Sequence, residues 1–148
     1  MVIGIIGENC TGKSTLAEAV QGAFGGEILT GKDYLRLAKS ESMAAALFKK
    51  KLKAALTGEN VIYVISEKEH LAFLPEGSTT ILVTAELDTI KERFRARMRG
   101  NLPAPVEPML EKKHGMFEDG TYTLRYHSGR DTVDTVLEKL RQSAEGIL

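Results

Sequence analysis

The sequence predicts an α/β fold of three layers, in which a parallel sheet of five strands lies between two layers of helices. Three observations support this prediction. Short runs of apolar, mostly β-branched residues show no polar alternation, as in strands that are covered on both faces. Amphipathic segments with helical spacing lie between these runs, and the connections are short. Because parallel neighbours need crossover segments of this kind, the alternation favours a parallel sheet.

The first half of the chain contains three strands and two helices. The first helix stops at Gly25 and Gly26, a typical C-terminal stop. Ser42 is a candidate N-cap for the second helix, and Gly58 lies just past its end. In chain order the elements are strand 2–6, helix 13–24, strand 26–30, helix 42–56 and strand 61–66. The apolar face of the second helix is predicted to comprise Met43, Leu47, Leu52 and Leu56.

The second half of the chain continues the alternation. Residues 100–108 hold three of the four prolines, so we expect a loop there rather than a regular helix or a central strand. In chain order the elements are strand 79–84, helix 86–99, a short helix 108–117, strand 121–127 and helix 131–143. The apolar stripe of helix 86–99 comprises Leu87, Ile90, Phe94 and Met98. The stripe of the last helix comprises Val133, Val136, Leu137 and Leu140.

Composition and charge indicate one domain over residues 1–148. The 20 basic and 20 acidic residues balance, so no global field favours nucleic acid or an anionic membrane. The lysine tract at 49–53 could contact a phosphate backbone, but a solvated helix face is favoured because the other face of that helix is apolar. Cys10 is the single cysteine, so no internal disulfide can form and we expect a cytoplasmic protein. The apolar start of the chain is too short for a signal peptide or a membrane span.

A glycine-rich motif joins the first strand to the first helix. Residues 7–14 read Gly-Glu-Asn-Cys-Thr-Gly-Lys-Ser and match G-x-x-x-x-G-K-[ST] in the strand-turn-helix context that this motif requires. The backbone N–H groups of residues 9–15 can then converge on phosphate oxygens at a helix N-terminus. Glycine is needed at 7 and 12, where a side chain would block this approach or a positive φ is required. Lys13 is expected to reach the β and γ phosphates, and the Ser14 hydroxyl to bind Mg²⁺.

With this motif the sequence resembles the P-loop NTPases. The resemblance implies that the chain binds ATP or GTP together with Mg²⁺, and ATP is the expected cofactor. The residues that would hold the nucleotide through the loop are Gly7, Glu8, Asn9, Cys10, Thr11, Gly12, Lys13, Ser14 and Thr15.

A second motif follows the second strand. Residues 31–36, Gly-Lys-Asp-Tyr-Leu-Arg, resemble the G-x-D-x-[LIV]-R element of small-molecule and nucleoside monophosphate kinases. In those families the acidic residue holds the acceptor or a metal-bound water, and the arginine binds the anionic group of the acceptor. The resemblance therefore implies that Asp33 orients the acceptor and that Arg36 binds it. Asp33 can also be read as the N-cap of a helix over 33–39 with Arg36 on its solvated face, and the two roles are compatible.

A third resemblance follows the fourth strand. The segment "VTAELDTIKERFRARMRGN" is similar to the part of adenylate, shikimate and related kinases in which E-R-x-x-x-R precedes a mobile lid. At 100° per residue, Arg93 and Arg97 flank the apolar stripe, whereas Arg95 and Arg99 point the other way. The resemblance implies that Arg93 and Arg97 stabilise charge on the transferring phosphoryl group, for which arginine is well suited. An exposed basic helix face is the alternative interpretation.

Three further segments are compared with the same kinases. Residues 99–120 would be the lid or its remnant, with Lys112, Lys113 or His114 as its basic residues unless these are simply exposed. The segment "YHSGRDTVDTVLEKL" resembles the part that contacts adenine, which implies stacking by Arg130, although an N-cap loop explains it too. In many P-loop enzymes the third strand ends in an aspartate that is linked to Mg²⁺. Here the third strand ends in "SEKEH" without an aspartate. Glu67, Glu69 or Asp33 could replace that aspartate through water, whereas His70 and His127 lack a metal-ligand spacing.

Together these features predict a P-loop kinase-like domain whose sheet has the order 2-3-1-4-5. Its predicted activity is the transfer of the ATP γ-phosphoryl group to a small molecule, and the expected acceptor is a nucleotide or a nucleoside. Lys13, Asp33, Arg93 and Arg97 would carry the catalysis, with the acceptor between Asp33, Arg36 and the segment in the 60s. The alternative is a nucleotide-binding switch or NTPase component whose lysine-rich helix meets a partner. Neither nucleic acid nor a membrane is expected as a partner, and the protein would be a monomer or a homodimer.

Overall fold

The sheet that the sequence predicts is present in the computed structural model, which describes residues 1–144. The five strands are all parallel and are β1 (Val2–Ile6), β2 (Glu27–Thr30), β3 (Val61–Ile65), β4 (Thr79–Thr84) and β5 (Leu124–His127). They lie in the order β2-β3-β1-β4-β5, which confirms the predicted order. The α-helices are α1 (Lys13–Phe24), α2 (Glu41–Ala55), α3 (Leu87–Arg97), α4 (Val106–Lys113) and α5 (Val133–Ala144). Two 3₁₀ helices follow β2 and β3 and span Gly31–Leu37 and Lys68–Phe73.

The central strand β1 is covered on both faces. Val2 and Ile6 belong to one apolar cluster together with residues of α2, whereas Ile3 and Ile5 belong to another that includes residues of α1 and α5. All five residues of β1 are buried, as are all five of β3. Burial on both faces explains why these strands lack polar alternation.

Helix α2 uses a different face from the one predicted. Met43 and Leu47 are 60% and 42% exposed, whereas Phe48 is 1% exposed. The Phe48 ring packs against Tyr34 at 5.8 Å and Tyr63 at 4.9 Å between ring centroids. Because aromatic rings bury the most apolar surface, this cluster decides which face of α2 turns inward. The prediction of Met43 and Leu47 as core residues is therefore wrong.

Several element boundaries also differ from the prediction. Ser40, not Ser42, is the N-cap of α2, since its hydroxyl accepts a hydrogen bond from Met43 N at 3.4 Å. Helix α3 ends before residue 99 because Arg99 has a left-handed φ of 58°. Helix α4 begins inside the predicted loop, where Pro108 is tolerated because first-turn N–H groups need no partner within the helix. Strand β5 is three residues shorter at its start than predicted, and α5 covers 133–144 rather than 131–143.

The carboxyl ends of the strands bring four functional segments to one edge of the sheet. The glycine-rich motif follows β1, the two 3₁₀ helices follow β2 and β3, and α3 follows β4. In open α/β sheets, ligands bind at this edge. None of the helices within residues 1–144 is both long and apolar enough to cross a membrane.

Candidate active site

The motif after β1 forms a tight turn that two glycines make possible. A Cβ atom on Gly7 would lie 2.5 Å from the Val83 carbonyl oxygen, so the turn lies directly against β4. Gly12 has a φ of 104°, which glycine adopts without strain. Cys10 also has a positive φ, of 63°. Helix α1 begins at the next residue after Gly12, so its free N–H groups open onto the turn.

Lys13 is buried at the base of this turn and is 7% exposed. Its Nζ donates a hydrogen bond of 2.5 Å to the Glu8 carbonyl oxygen, which also accepts from Thr11 Oγ1 at 2.8 Å. Burial lowers the pKa of the Lys13 ammonium to about 8, and the nearby charge of Arg97 acts in the same direction. An anion that replaces the lost hydration of this buried ammonium would stabilise its charged form.

The stability of the ligand-free protein is expected to depend on the titration of Lys13. The pKa is about 8 in the folded protein against 10.5 for an unperturbed lysine. The unfolded chain therefore binds more protons between these values, and the free energy of unfolding should rise with pH. Across this range the free energy of unfolding should rise by about 3 kcal/mol, because deprotonation of Lys13 removes the cost of burying its charge.

The measurement is urea unfolding of the wild type and of Lys13→Met between pH 8 and pH 10.5. The difference between the two proteins isolates Lys13, because the remaining groups titrate in both. A difference that does not change with pH would contradict the assignment.

A cavity of about 500 Å³ opens in front of the turn. It extends from the start of α1 to the segments that follow β2 and β3. Eight residues proposed from the sequence line it, namely Asn9, Cys10, Gly12, Lys13, Ser14, Thr15, Glu67 and Arg97. A smaller space of about 280 Å³ lies beside it, between Cys10, Arg93, Tyr126 and Ser128.

Arg93 and Arg97 both face the turn from α3, as the helical spacing predicts. The Arg93 guanidinium donates to the Cys10 carbonyl oxygen at 3.1 Å and to Ser128 Oγ at 2.8 Å. It therefore ties the turn to the loop after β5. Arg97 and Arg95 are both exposed, but Arg97 lines both spaces and Arg95 lines neither.

Asp33 and Arg36 do not line the main cavity. The Asp33 carboxylate accepts from Thr30 N at 2.8 Å and from Thr30 Oγ1 at 3.2 Å. It thus completes a capping box at the start of the first 3₁₀ helix, so Thr30 and not Asp33 is the N-cap. The Arg36 side chain is 86% exposed and lies 3.9 Å from Asp33. The predicted helix over 33–39 is this 3₁₀ helix.

Other residues occupy the end of the cavity that faces away from the P-loop. Lys32 lines it from the first 3₁₀ helix, and Ser66, Glu67 and His70 line it from the segment after β3. Sequence reasoning placed Lys32 inside its motif without a role and treated His70 as incidental. Both residues lie directly after neighbouring parallel strands. Because the carboxyl ends of such strands meet at one edge of the sheet, this position could have indicated that they line the site.

The segment 99–120 contacts the glycine-rich turn through Glu8. The Glu8 carboxylate, whose side chain is 10% exposed, contacts His114 Nδ1 at 3.1 Å and accepts from Gly115 N at 3.0 Å. Lys91 of α3 donates to Glu107 at 3.2 Å and to Glu111 at 2.6 Å. These contacts fix both ends of α4.

Arg130 lies outside both spaces. Its guanidinium donates to Glu86 Oε1 at 3.0 Å, and its side chain is 71% exposed. Tyr126 and Ser128, from the same segment, do line the smaller space.

Comparison with solved structures identifies the fold. The gluconokinase from Sinorhizobium meliloti 1021 has a TM-score of 0.64 at 15% identity, over 99% of this chain and 94% of that chain. The shikimate kinase from Aquifex aeolicus vf5 has a TM-score of 0.54 at 18% identity, over 99% and 97% of the two chains. The shikimate kinase from Acinetobacter baumannii, solved in complex with shikimate, has a TM-score of 0.62 at 12% identity, over 98% and 93%. No protein-family model and no curated protein matches the sequence.

At these identities the likeness establishes the fold alone. The strand order, the position of the glycine-rich turn and these comparisons together show the fold of the P-loop small-molecule kinases. The activity, the acceptor and the roles of individual residues have to be argued from the site.

Proposed function

We propose that this protein is a kinase that transfers the γ-phosphoryl group of ATP to a small-molecule acceptor. The main observation behind the proposal is that one continuous cavity is lined by Lys13 and Arg97 and also by Lys32 and the segment after β3. One end has the features of a phosphate site, and the other end is lined by the polar side chains of Lys32, Ser66 and Glu67. A nucleotide-binding switch would need only the first end.

The turn fits a nucleoside triphosphate with Mg²⁺. Gly7 lets the turn pack against β4, Gly12 supplies its positive φ, the Lys13 ammonium is buried at its base, and Ser14 is exposed in the cavity. When bound, ATP supplies the phosphoryl group, and Mg²⁺ neutralises charge on its β and γ phosphates. Lys13 would hold the same phosphates, and the Ser14 hydroxyl would hold the metal ion.

Arg93 and Arg97 of α3 would have different roles. Arg97 lines the main cavity next to Lys13, so it is placed to neutralise charge on the transferring group. Arg93 holds the turn and the loop after β5 together, so it would form one side of the nucleotide site. Tyr126 and Ser128 would line that site, while Arg130 would have to leave Glu86 to reach a base.

The acceptor would lie at the ends of β2 and β3. Lys32 can bind an anionic group there, and Ser66 offers a hydroxyl. Asp33 would act through the first 3₁₀ helix, because its capping contacts fix the segment that presents Lys32. Arg36 would contact the acceptor only if this helix rearranged.

Two acceptor classes suit this end of the cavity. The sequence favoured a nucleotide or a nucleoside. The gluconokinase and shikimate kinases of similar fold are named for hydroxy acids, and one carboxylate on a small polyol matches the single cation of Lys32.

ADP release across a panel of acceptors tests the proposal. The panel contains nucleoside monophosphates, nucleosides, hydroxy acids and sugars, each with ATP and Mg²⁺. Release that rises strongly with one acceptor supports a kinase and names its substrate class. Release that is the same with and without every acceptor would contradict the proposal.

Arg93 and Arg95 offer a matched pair of substitutions on one helix. Arg93→Ala removes the contacts to Cys10 and Ser128 and should lower acceptor-dependent turnover by about 10²-fold. Arg95→Ala removes an exposed side chain and should leave turnover nearly unchanged. The measurement is the initial rate of each variant with one acceptor. Equal losses in the two variants would mean that the basic character of α3, and not the position of Arg93, matters.

A further inference from the structure

Three potential metal ligands meet at the start of the second 3₁₀ helix. His70 Nε2 lies 3.9 Å from Glu67 Oε2 and 4.0 Å from Glu69 Oε1. One ligand atom from each residue lies within 4.8 Å of the others. Two atoms bound to one ion at about 2.0–2.2 Å each can be at most about 4.4 Å apart, and both Nε2 distances satisfy this limit.

The helix type explains why the spacing of His70 in the sequence did not indicate that it joins Glu67 and Glu69. In a 3₁₀ helix, residues three apart lie almost directly above one another. Glu67 and His70 therefore come to the same side, although their spacing does not match a helical metal motif. Glu69 reaches the same point from the intervening turn.

His70 gives an independent indication of a ligand. Its side chain is 5% exposed, and within residues 1–144 its Nδ1 is buried without a hydrogen-bond partner. The ring packs beside Tyr34 and Phe73, with centroids 6.2 Å and 6.1 Å away. The ring edge that carries Nε2 is directed at the two carboxylates, at distances too long for hydrogen bonds. A buried imidazole with an unsatisfied nitrogen is costly, and a ligand on Nε2 would give the ring a polar partner.

The charges of the cluster also favour a bound cation. The Glu67 and Glu69 carboxylates lie 3.9 Å and 4.0 Å from the same His70 Nε2 atom. Two carboxylates this close repel each other when both are ionised, and a cation between them relieves the repulsion. Lys32 and Lys113 lie near enough to weaken a bound cation but do not fill the position between the three ligand atoms.

We propose that Glu67, Glu69 and His70 bind one divalent transition-metal ion, such as Zn²⁺, Mn²⁺ or Co²⁺. An imidazole with two carboxylates suits these ions, whereas Mg²⁺ is bound through oxygen. The site is thus different from the Mg²⁺ position at Ser14. Three protein ligands leave coordination positions open, as in catalytic metal sites.

The open positions would face the acceptor end of the cavity, because Glu67 and His70 both line it. A bound ion would there hold an oxygen of the acceptor. This role rests on the proposed kinase function, whereas metal binding itself does not.

The test is a titration of metal-free, nucleotide-free protein with Co²⁺, followed by its d–d absorption. One ion should bind per chain, and excess Mg²⁺ should not displace it. Glu67→Gln and Glu69→Gln remove half-exposed or exposed carboxylates, so folding should not suffer, and each should weaken binding at least about 10-fold. Glu59→Gln, at an exposed glutamate outside the cluster, is the matched control.

A second readout addresses His70 directly. Zn²⁺ should shift the ¹⁵N resonance of His70 Nε2, and His70→Ala should abolish Co²⁺ binding. Binding that survives both glutamate substitutions, or no stoichiometric binding at all, would overturn the proposal. Since no nucleotide is present, this result would leave the kinase proposal untouched, and a failed acceptor panel would leave the metal site untouched.

Discussion

Replacing Lys13 with alanine is expected to lower ATP-dependent phosphoryl transfer by about 10²- to 10³-fold. The reason is the position of its ammonium group, which is buried at the base of the turn and donates a hydrogen bond to the Glu8 carbonyl oxygen. Phosphate oxygens would replace that carbonyl as its partner and would gain a cation that water does not screen. The measurement is the rate of ADP formation with the acceptor that the panel identifies.

Lys49→Ala is the control for this substitution. Lys49 is exposed on α2, away from the cavity, and its loss should leave the rate unchanged. Thermal unfolding of Lys13→Ala should show a protein as stable as the wild type near neutral pH, because a buried charge is removed. A loss of activity below about threefold in a folded Lys13→Ala protein would contradict the role of Lys13.

Replacing Gly7 with alanine is expected to destabilise the fold by about 3 kcal/mol and to abolish nucleotide binding. The new Cβ would lie 2.5 Å from the Val83 carbonyl oxygen and 2.9 Å from Thr11 Oγ1. Val83 belongs to β4, so the clash can be relieved only if the turn moves away from the sheet. That movement would also shift the backbone that is proposed to bind phosphate.

Gly22→Ala provides the comparison, because nothing lies within 4 Å of a Cβ atom at this position of α1. It should raise the free energy of unfolding by up to about 1 kcal/mol, since alanine favours helix. Urea unfolding of both variants measures the difference. Equal stabilities for Gly7→Ala and Gly22→Ala would contradict the close packing of the turn against β4.

The parts of the fold that depend on local pattern could be predicted from the sequence. The apolar runs of β1, β3 and β4 gave the sheet, because strands buried on both faces show no alternation. The motif at 7–14 gave the turn and its two glycines. Helical spacing distinguished Arg93 and Arg97 from Arg95, because all of them lie on one regular helix.

The parts that depend on contacts distant in sequence could not be predicted. The inward face of α2 is set by Phe48 packing on Tyr63, which lies on another element. The Glu8 carboxylate contacts His114, 106 residues away, and no local pattern indicates this contact. Asp33 was assigned to the acceptor from a motif, whereas in the structure a short capping contact to Thr30 holds its carboxylate.

The most direct test of the central claim is to follow the γ-phosphoryl group itself. The protein is incubated with [γ-³²P]ATP, Mg²⁺ and a protein-free extract of small metabolites, and Lys13→Ala is treated in parallel. We predict that the label appears in an organic phosphate ester with the wild type and not with Lys13→Ala. Label that is released only as inorganic phosphate, or that stays in ATP with every extract, would contradict the assignment as a small-molecule kinase.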